Sequence, residues 1–288
     1  MGEKRKVLIV GYGYVGKYIG YYFKDCQYMK SDGVVRDIAD DENHGLTLEN
    51  CTWDLAILCL PTPMDKETGR CDTNLIEDAV KGLKSCVSYF MIKSTVEPFT
   101  TKRLEDTHGV KICMSPEFTG ETLGHIYKEP FLRTFVIFGG KKEVTTAVAE
   151  FWRPVLHADS TFFFCTAIEA ELIKYLNNYR IMRTIDFWND AYEVCGQLSA
   201  SFDIVREGLA LDERFTKTHS FIYSDNRGWT GKCLPKDNNA LAWMMRFAGN
   251  PLKTLEHLIG KNANKWRKDY PQKESLIPGY PAWSESEE

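Results

Sequence analysis

Apolar residues in the first half of the chain come in short unbroken runs closed by turns; in the second half they recur at helical spacing. In "KVLIVGYGYVGKYIGYYF" an apolar strand meets a turn carrying Gly11, Gly13 and Gly16, then a stretch whose apolar residues suit a helix. "WDLAILCLPTP" reads as a buried parallel strand ended by a Pro-Thr-Pro turn, and "SYFMIKSTVEP" as another ended at Ser94 and Thr95. "VKICMSPEFTGE" repeats the pattern, with Glu117 and Glu121 just past the strand, and "RTFVIFGG" and "STFFFC" complete the sheet. From Thr166 to Cys195 there is neither glycine nor proline, which predicts one helix roughly 45 Å long, stopped by Gly196. Further helices are expected near "FDIVREGLALDER", "PKDNNALAWMMRF" and "PLKTLEHLIGKNANKW". The expected fold class is α/β: a Rossmann-type parallel-sheet domain over 1–165, then an all-helical domain over 166–266 built on the long central helix. Residues 267–288, rich in proline and charge, read as a loose tail.

Composition narrows the function. The 288 residues are 43% apolar and 26% charged, enough for one large core or two modest ones. Forty acidic against 36 basic residues give a net charge of −4, which offers no general pull towards nucleic acid or an anionic membrane. No apolar run approaches the roughly 18 residues of a membrane span. The N-terminus runs directly into a strand with no signal-peptide core, so a cytoplasmic protein is expected. Nine cysteines without any Cys-x-x-Cys pair argue against a disulfide framework and against a metal site.

The glycine turn sits where a dinucleotide pyrophosphate would meet a helix N-terminus: Gly11 for the tight turn, Gly13 for close backbone approach, Gly16 for helix packing. A plain βα turn is the bland reading. Asp32 is the best-placed acid for a ribose 2′-hydroxyl, with Asp37 its rival; either could be a solvated loop residue, and Arg36 keeps NADP open. Lys174 and Asn178 lie one turn apart on the long helix, in a segment otherwise apolar enough to suggest a pocket and not a solvated charge. Cys233 lies two residues before Pro235, at an expected helix start with Lys236 near. Both features favour a thiolate, although a buried structural thiol is the commoner case.

In this order the segments resemble the UDP-glucose/GDP-mannose dehydrogenase family, over about residues 5–266. "GYGYVG" is similar to its nucleotide loop (Gly11, Tyr12, Gly13, Tyr14, Val15, Gly16), "LPTP" (Leu60, Pro61, Thr62, Pro63) to its second cofactor turn and "KSTV" to its third. "PEFTGE", "AELIKYLNN", "LDERF" and "GWTGKCLPKD" resemble its substrate and catalytic segments. The resemblance implies oxidation of a nucleotide sugar's C6 alcohol to a carboxylate with two NAD⁺, through a thiohemiacetal and a thioester on Cys233. It places Asp32, Ser94, Thr95 and Glu121 on NAD with the three turns. It places Glu117, Phe118, Glu121, Lys174, Asn178, Arg214 and Gly228 on the substrate. Lys174, Asn178 and Asp237 would stabilise negative charge and hold water; Glu117 would be the hydrolysis base, with Thr95 helping to hold the water. Arg214 would reach the sugar of a neighbouring subunit in a homodimer built on the central helix.

Four departures stand out. Phe99 replaces a glycine in "STVPxGT", Thr230 a glycine and Lys232 the serine before the cysteine, and three extra residues separate Arg214 from Cys233. The chain runs only 22 residues past Trp266, so a form without the family's second Rossmann-like domain is expected. Alternatives are a dehydrogenase of another sugar phosphate, or one completed by a partner protein, and an inactive, NAD-binding dimeric module.

Overall fold

In the computed structural model, residues 5–23, 27–29, 52–65, 68–120, 125, 127, 129–215 and 217–267 are described. Two compact units emerge, each with its own core: Met1–Pro63 with Asp72–Lys174, and Met64–Cys71 with Tyr175–Glu288.

The first unit is a seven-stranded sheet ordered β2-β1-β3-β4-β5-β6-β7. Its strands are β1 (Val7–Val10), β2 (Gln27–Met29), β3 (Trp53–Leu58), β4 (Val87–Ile92), β5 (Ile112–Met114), β6 (Phe135–Gly139) and β7 (Thr161–Cys165). The unbroken apolar runs follow from burial on both faces. Leu8 and Val10 of β1, with Ala56 and Leu58, pack among α2 (Asn74–Leu83) and α3 (Thr100–His108). Val7 and Ile9, with Leu55 and Ile57, pack on the other side among α1 (Tyr14–Gly20) and α4 (Lys142–Trp152).

The sheet is parallel except at one seam, where β6 meets β5 antiparallel through the single pair Met114 and Gly139. An antiparallel neighbour needs no helical crossover. The connection from Ser115 to Thr134 therefore stays free to carry Glu117 and Arg133, and β7 then joins β6 in parallel.

The long helix exists as α5 (Ala167–Gln197, 31 residues) and runs one residue past Gly196. The units divide inside it, after Lys174. Its first turns belong to the sheet: Ala170 lies so near Gly139 that a Cβ there would come within 2.3 Å, and Glu171 caps α3. The remainder packs with α7 (Leu234–Phe247) and α8 (Lys253–Lys261) around Tyr175, Met182, Trp229 and Leu255. Ser201 accepts from the Ile204 amide to start α6 (Phe202–Leu209). The segment Met64–Cys71, bridged at its two ends, leaves the sheet unit for this helical core. Among the described residues no helix is long and apolar enough to cross a membrane. The expected tail from 268 onwards lies outside the described residues.

Candidate active site

In the first unit, the glycine turn has the geometry its spacing implies. Gly11 takes φ +91°, and a Cβ on it would stand 2.7 Å from the Cys59 carbonyl oxygen; one on Gly16 would stand 2.0 Å from the Gly11 oxygen. Gly13 faces open space, α1 begins with no side-chain cap, and its first turn holds no acid. Exposed backbone amides without a competing carboxylate suit a pyrophosphate. The other two turns are tied together: Ser94 Oγ donates to the Leu60 carbonyl at 2.6 Å, and Thr62 Oγ1 to the Thr95 carbonyl at 2.8 Å. Tyr14 donates its hydroxyl to the Gly120 carbonyl at 2.7 Å, joining the glycine loop to "PEFTG". Asp32, Arg36, Asp37 and Glu121 lie outside the described residues.

Glu117 is the hub of a buried ionic cluster that sequence reading did not find. Arg133, only 1% exposed, grips both its carboxylate oxygens at 2.9 and 2.8 Å, and Lys93 Nζ lies 3.5 Å from one of them. The Phe118 and Thr119 amides donate to Oε1 as well. Burial raises the Glu117 pKa, but Arg133 and Lys93 outweigh it and hold the carboxyl down to about 2. Burial likewise brings Lys93 down to about 8, against the pull of Glu117. The backbone of Glu117 serves elsewhere. Its carbonyl accepts from Lys174 Nζ at 2.6 Å, and that ammonium stands 5.6 Å from the Phe118 ring centre.

The second unit holds the other group. Cys233 is exposed and stands at the N-cap position of α7 without a side-chain capping bond, with Pro235 in the first turn; the Asp237 amide donates to its carbonyl at 2.9 Å. Asp237, 1% exposed, uses both oxygens: Oδ2 accepts from Asn178 Nδ2 and Oδ1 from Lys236 Nζ, each at 2.5 Å. Lys236, three residues after Cys233, is itself bonded within this core. Its ammonium turns inward, to Asp237 and to Cys71 Sγ at 3.3 Å. The loop before Cys233 is held by its backbone: Asn189 of α5 accepts from the Gly228 amide, and Asn262 bonds both the amide and the carbonyl of Trp229. Gly228 takes φ +73°, and a Cβ on it would collide with Asn262 at 2.4 Å, so glycine is required there for packing. Arg214 is highly exposed and pairs with Asp212, two residues away.

Two models of one family match the chain in sequence order. The NAD binding domain of the UDP-glucose/GDP-mannose dehydrogenase family matches residues 44–155, and its central domain matches 168–264. The chain belongs to this family. A UDP-glucose 6-dehydrogenase of Rhizobium meliloti (strain 1021) is 26% identical over 225 residues, covering 74% of this chain and 51% of that protein. UDP-glucose 6-dehydrogenase TuaD of Bacillus subtilis (strain 168) is 28% identical over 221 residues, covering 73% and 46%. The chain thus spans about half the length of these curated relatives. A solved UDP-glucose dehydrogenase from Pyrobaculum islandicum superposes with a TM-score of 0.71 at 20% identity, over 90% of this chain and 68% of that one, and shows the shared fold.

The cofactor of the family's N-terminal domain is NAD, and the glycine turn, lying ahead of the matched stretch, fits its pyrophosphate. Where the family pattern has glycine, Phe99 holds φ +75° and is 66% exposed. Its amide donates to Glu171 at 2.7 Å, which locks the strained turn. Thr230 and Lys232 both lie exposed in the loop.

The buried partners escaped sequence reading for a physical reason. Arg133 and Lys93 are single charges beside apolar strands, and only the chain's return brings them to Glu117. The one available signal was a lysine directly at the end of the buried run "YFMI".

Proposed function

We propose that this chain is an NAD-dependent nucleotide-sugar 6-dehydrogenase that takes a sugar C6 alcohol to a carboxylate in two oxidations. The observation that carries this reading is the arrangement at the start of α7, where an exposed Cys233 precedes a buried Asp237 fixed by Asn178 and Lys236. NAD⁺ supplies the hydride acceptor, once per oxidation. The first oxidation leaves an aldehyde. Cys233, as thiolate, adds to it and forms a carbon–sulfur bond; the resulting thiohemiacetal carries negative charge on oxygen. Lys174 has two further N–H groups beyond its bond to the Glu117 carbonyl, and these hold that oxygen. Loss of the second hydride leaves a thioester, which water cleaves to the carboxylate, regenerating the thiol. Asp237, anchored through both oxygens, orients that water with Asn178. We assign Glu117 to positioning Lys174 through its backbone carbonyl, beside the hydrolysis-base role its motif implies; Arg133 and Lys93 hold its carboxylate ionised, the form a base requires. Thr95, whose carbonyl is bonded by Thr62, keeps the third cofactor turn against the second.

Domain limits near 1–174 and 175–266, with 64–71 in the second, fit the two cores. We further propose a cytoplasmic homodimer. The exposed apolar residues Leu176, Phe187 and Val194 along α5, at near-helical spacing, support pairing through that helix, and Arg214 would then reach the neighbouring subunit.

Absorbance at 340 nm with NAD⁺ and a panel of UDP- and GDP-sugars and simple sugar phosphates tests the reading, beside Cys233→Ala and Cys233→Ser. Two NADH per sugar, lost from full turnover in both variants, is the expected result. Unchanged NADH formation in Cys233→Ala would sink the mechanism, and NAD binding without turnover on any sugar would favour a binding module.

A further inference from the structure

The bonded chain that fixes Asp237 passes through a residue outside every motif. Cys71 ends the Met64–Cys71 segment, and its Sγ lies 3.1 Å from the Tyr175 hydroxyl and 3.3 Å from Lys236 Nζ. From Lys236 the chain continues to Asp237 Oδ1 and, across that carboxylate, to Asn178. Cys71 is 5% exposed; Tyr175, Asn178 and Asp237 are buried too. Lys236 is itself half-buried, with 14% of its side chain exposed, and an ammonium so placed needs partners for the N–H groups turned away from water. Burial presses the Lys236 pKa down, and Asp237 together with Cys71 more than reverses this, so the side chain stays charged. Lys236 also sits three residues after Cys233 in the first turn of the same helix, where a released ammonium would stand near the exposed thiol.

Where the Lys236 charge resides is therefore a choice between two positions, and the sulfur of Cys71 biases it. We infer that Cys71 is a positioning residue: it draws the Lys236 ammonium inward, so that Asp237 is neutralised and stays aimed at Asn178, and keeps that charge off Cys233. The inference rests on the dehydrogenase reading for its effect on turnover, but its effect on the Cys233 thiol is independent of it. Hydrophobic packing alone would not require sulfur here, since an aliphatic side chain of similar size would fill the same space.

Cys71→Val and Cys71→Ser separate these cases, with Cys71→Ala in place of valine should that variant not fold. For each, kcat and KM for NADH formation from NAD⁺ and UDP-glucose are measured with Tm. Carbamidomethylation of Cys233 by iodoacetamide, read on the Cys233 peptide by mass, is followed from weakly acid to weakly alkaline pH. Cys71→Val should lower kcat about tenfold with KM little changed, and shift Cys233 modification to lower pH. Cys71→Ser, which keeps an acceptor for Lys236, should restore both towards wild type. Equal kcat and equal modification profiles in all three proteins would overturn the inference, as would losses in both variants that merely track Tm. If the wild type makes no NADH from any nucleotide sugar, the dehydrogenase reading fails by itself. The modification profile then decides: a shift in Cys71→Val reversed by serine upholds the positioning role, and an unchanged profile rejects it.

Discussion

Arg133 and Glu117 form a two-pronged ion pair, 2.9 and 2.8 Å, in which the arginine is almost wholly buried. The pair anchors the side chain of Glu117, whose carbonyl accepts from Lys174. Removing Arg133 leaves the buried Glu117 with Lys93 and two amides in place of the fork, and breaking a buried pair costs up to about 3–5 kcal/mol. Arg133→Met should therefore lower the urea midpoint by that equivalent. Arg133→Lys keeps the charge and loses the fork, so it should recover only part of the stability and of kcat. Equal midpoints for Arg133→Met and wild type would refute the assignment.

Acid should loosen the same cluster. With Glu117 held at about 2 against an ordinary value near 4.5, its folded pKa lies below the unfolded one. Its stabilisation is then complete above about pH 4.5 and is lost as the pH falls towards 2. The loss is on the order of 3 kcal/mol. Urea midpoints measured down this range should fall, and Glu117→Gln should show a lower midpoint at neutral pH with a flatter acid dependence.

Phe99 stores backbone strain. At φ +75° a residue with a Cβ costs about 1–2 kcal/mol relative to glycine, and a residue 66% exposed recovers little by packing. Phe99→Gly should raise stability by about 0.5–1 kcal/mol once the added freedom of the unfolded chain is counted. Thermal unfolding of Phe99→Gly beside Phe99→Ala checks this, because alanine keeps the strained Cβ and should not stabilise.

Asn262 fixes the loop that carries Cys233 by bonding Trp229 on both its amide and its carbonyl. Asn262→Ala leaves two buried backbone groups without that partner, at about 1–3 kcal/mol. Hydrogen exchange at the Trp229 amide should rise, and kcat should fall roughly tenfold or more while NAD affinity is kept. Unchanged exchange in the variant would show that the loop is held by other means.

Features encoded locally were legible along the chain. Apolar runs between turns specified the strands, since a strand buried on both faces needs no alternation. Gly11, Gly13 and Gly16 specified the turn between β1 and α1, and Pro235 after Cys233 marked the start of α7. The absence of glycine and proline from Thr166 to Cys195 specified α5. The family's motifs were legible for the same reason, because each is a short segment with its chemistry contained in it. Which charges meet was settled by the fold. Glu117 finds Arg133 only because β6 enters antiparallel, and Lys236 finds Cys71 across 165 residues because one short segment leaves the sheet unit for the helical core. A single buried charge or thiol leaves no periodic trace in the chain, and its partner is set by where the backbone returns. That is why Glu117, marked along the sequence only by its motif, stands in the fold as an anion anchored by Arg133 and Lys93.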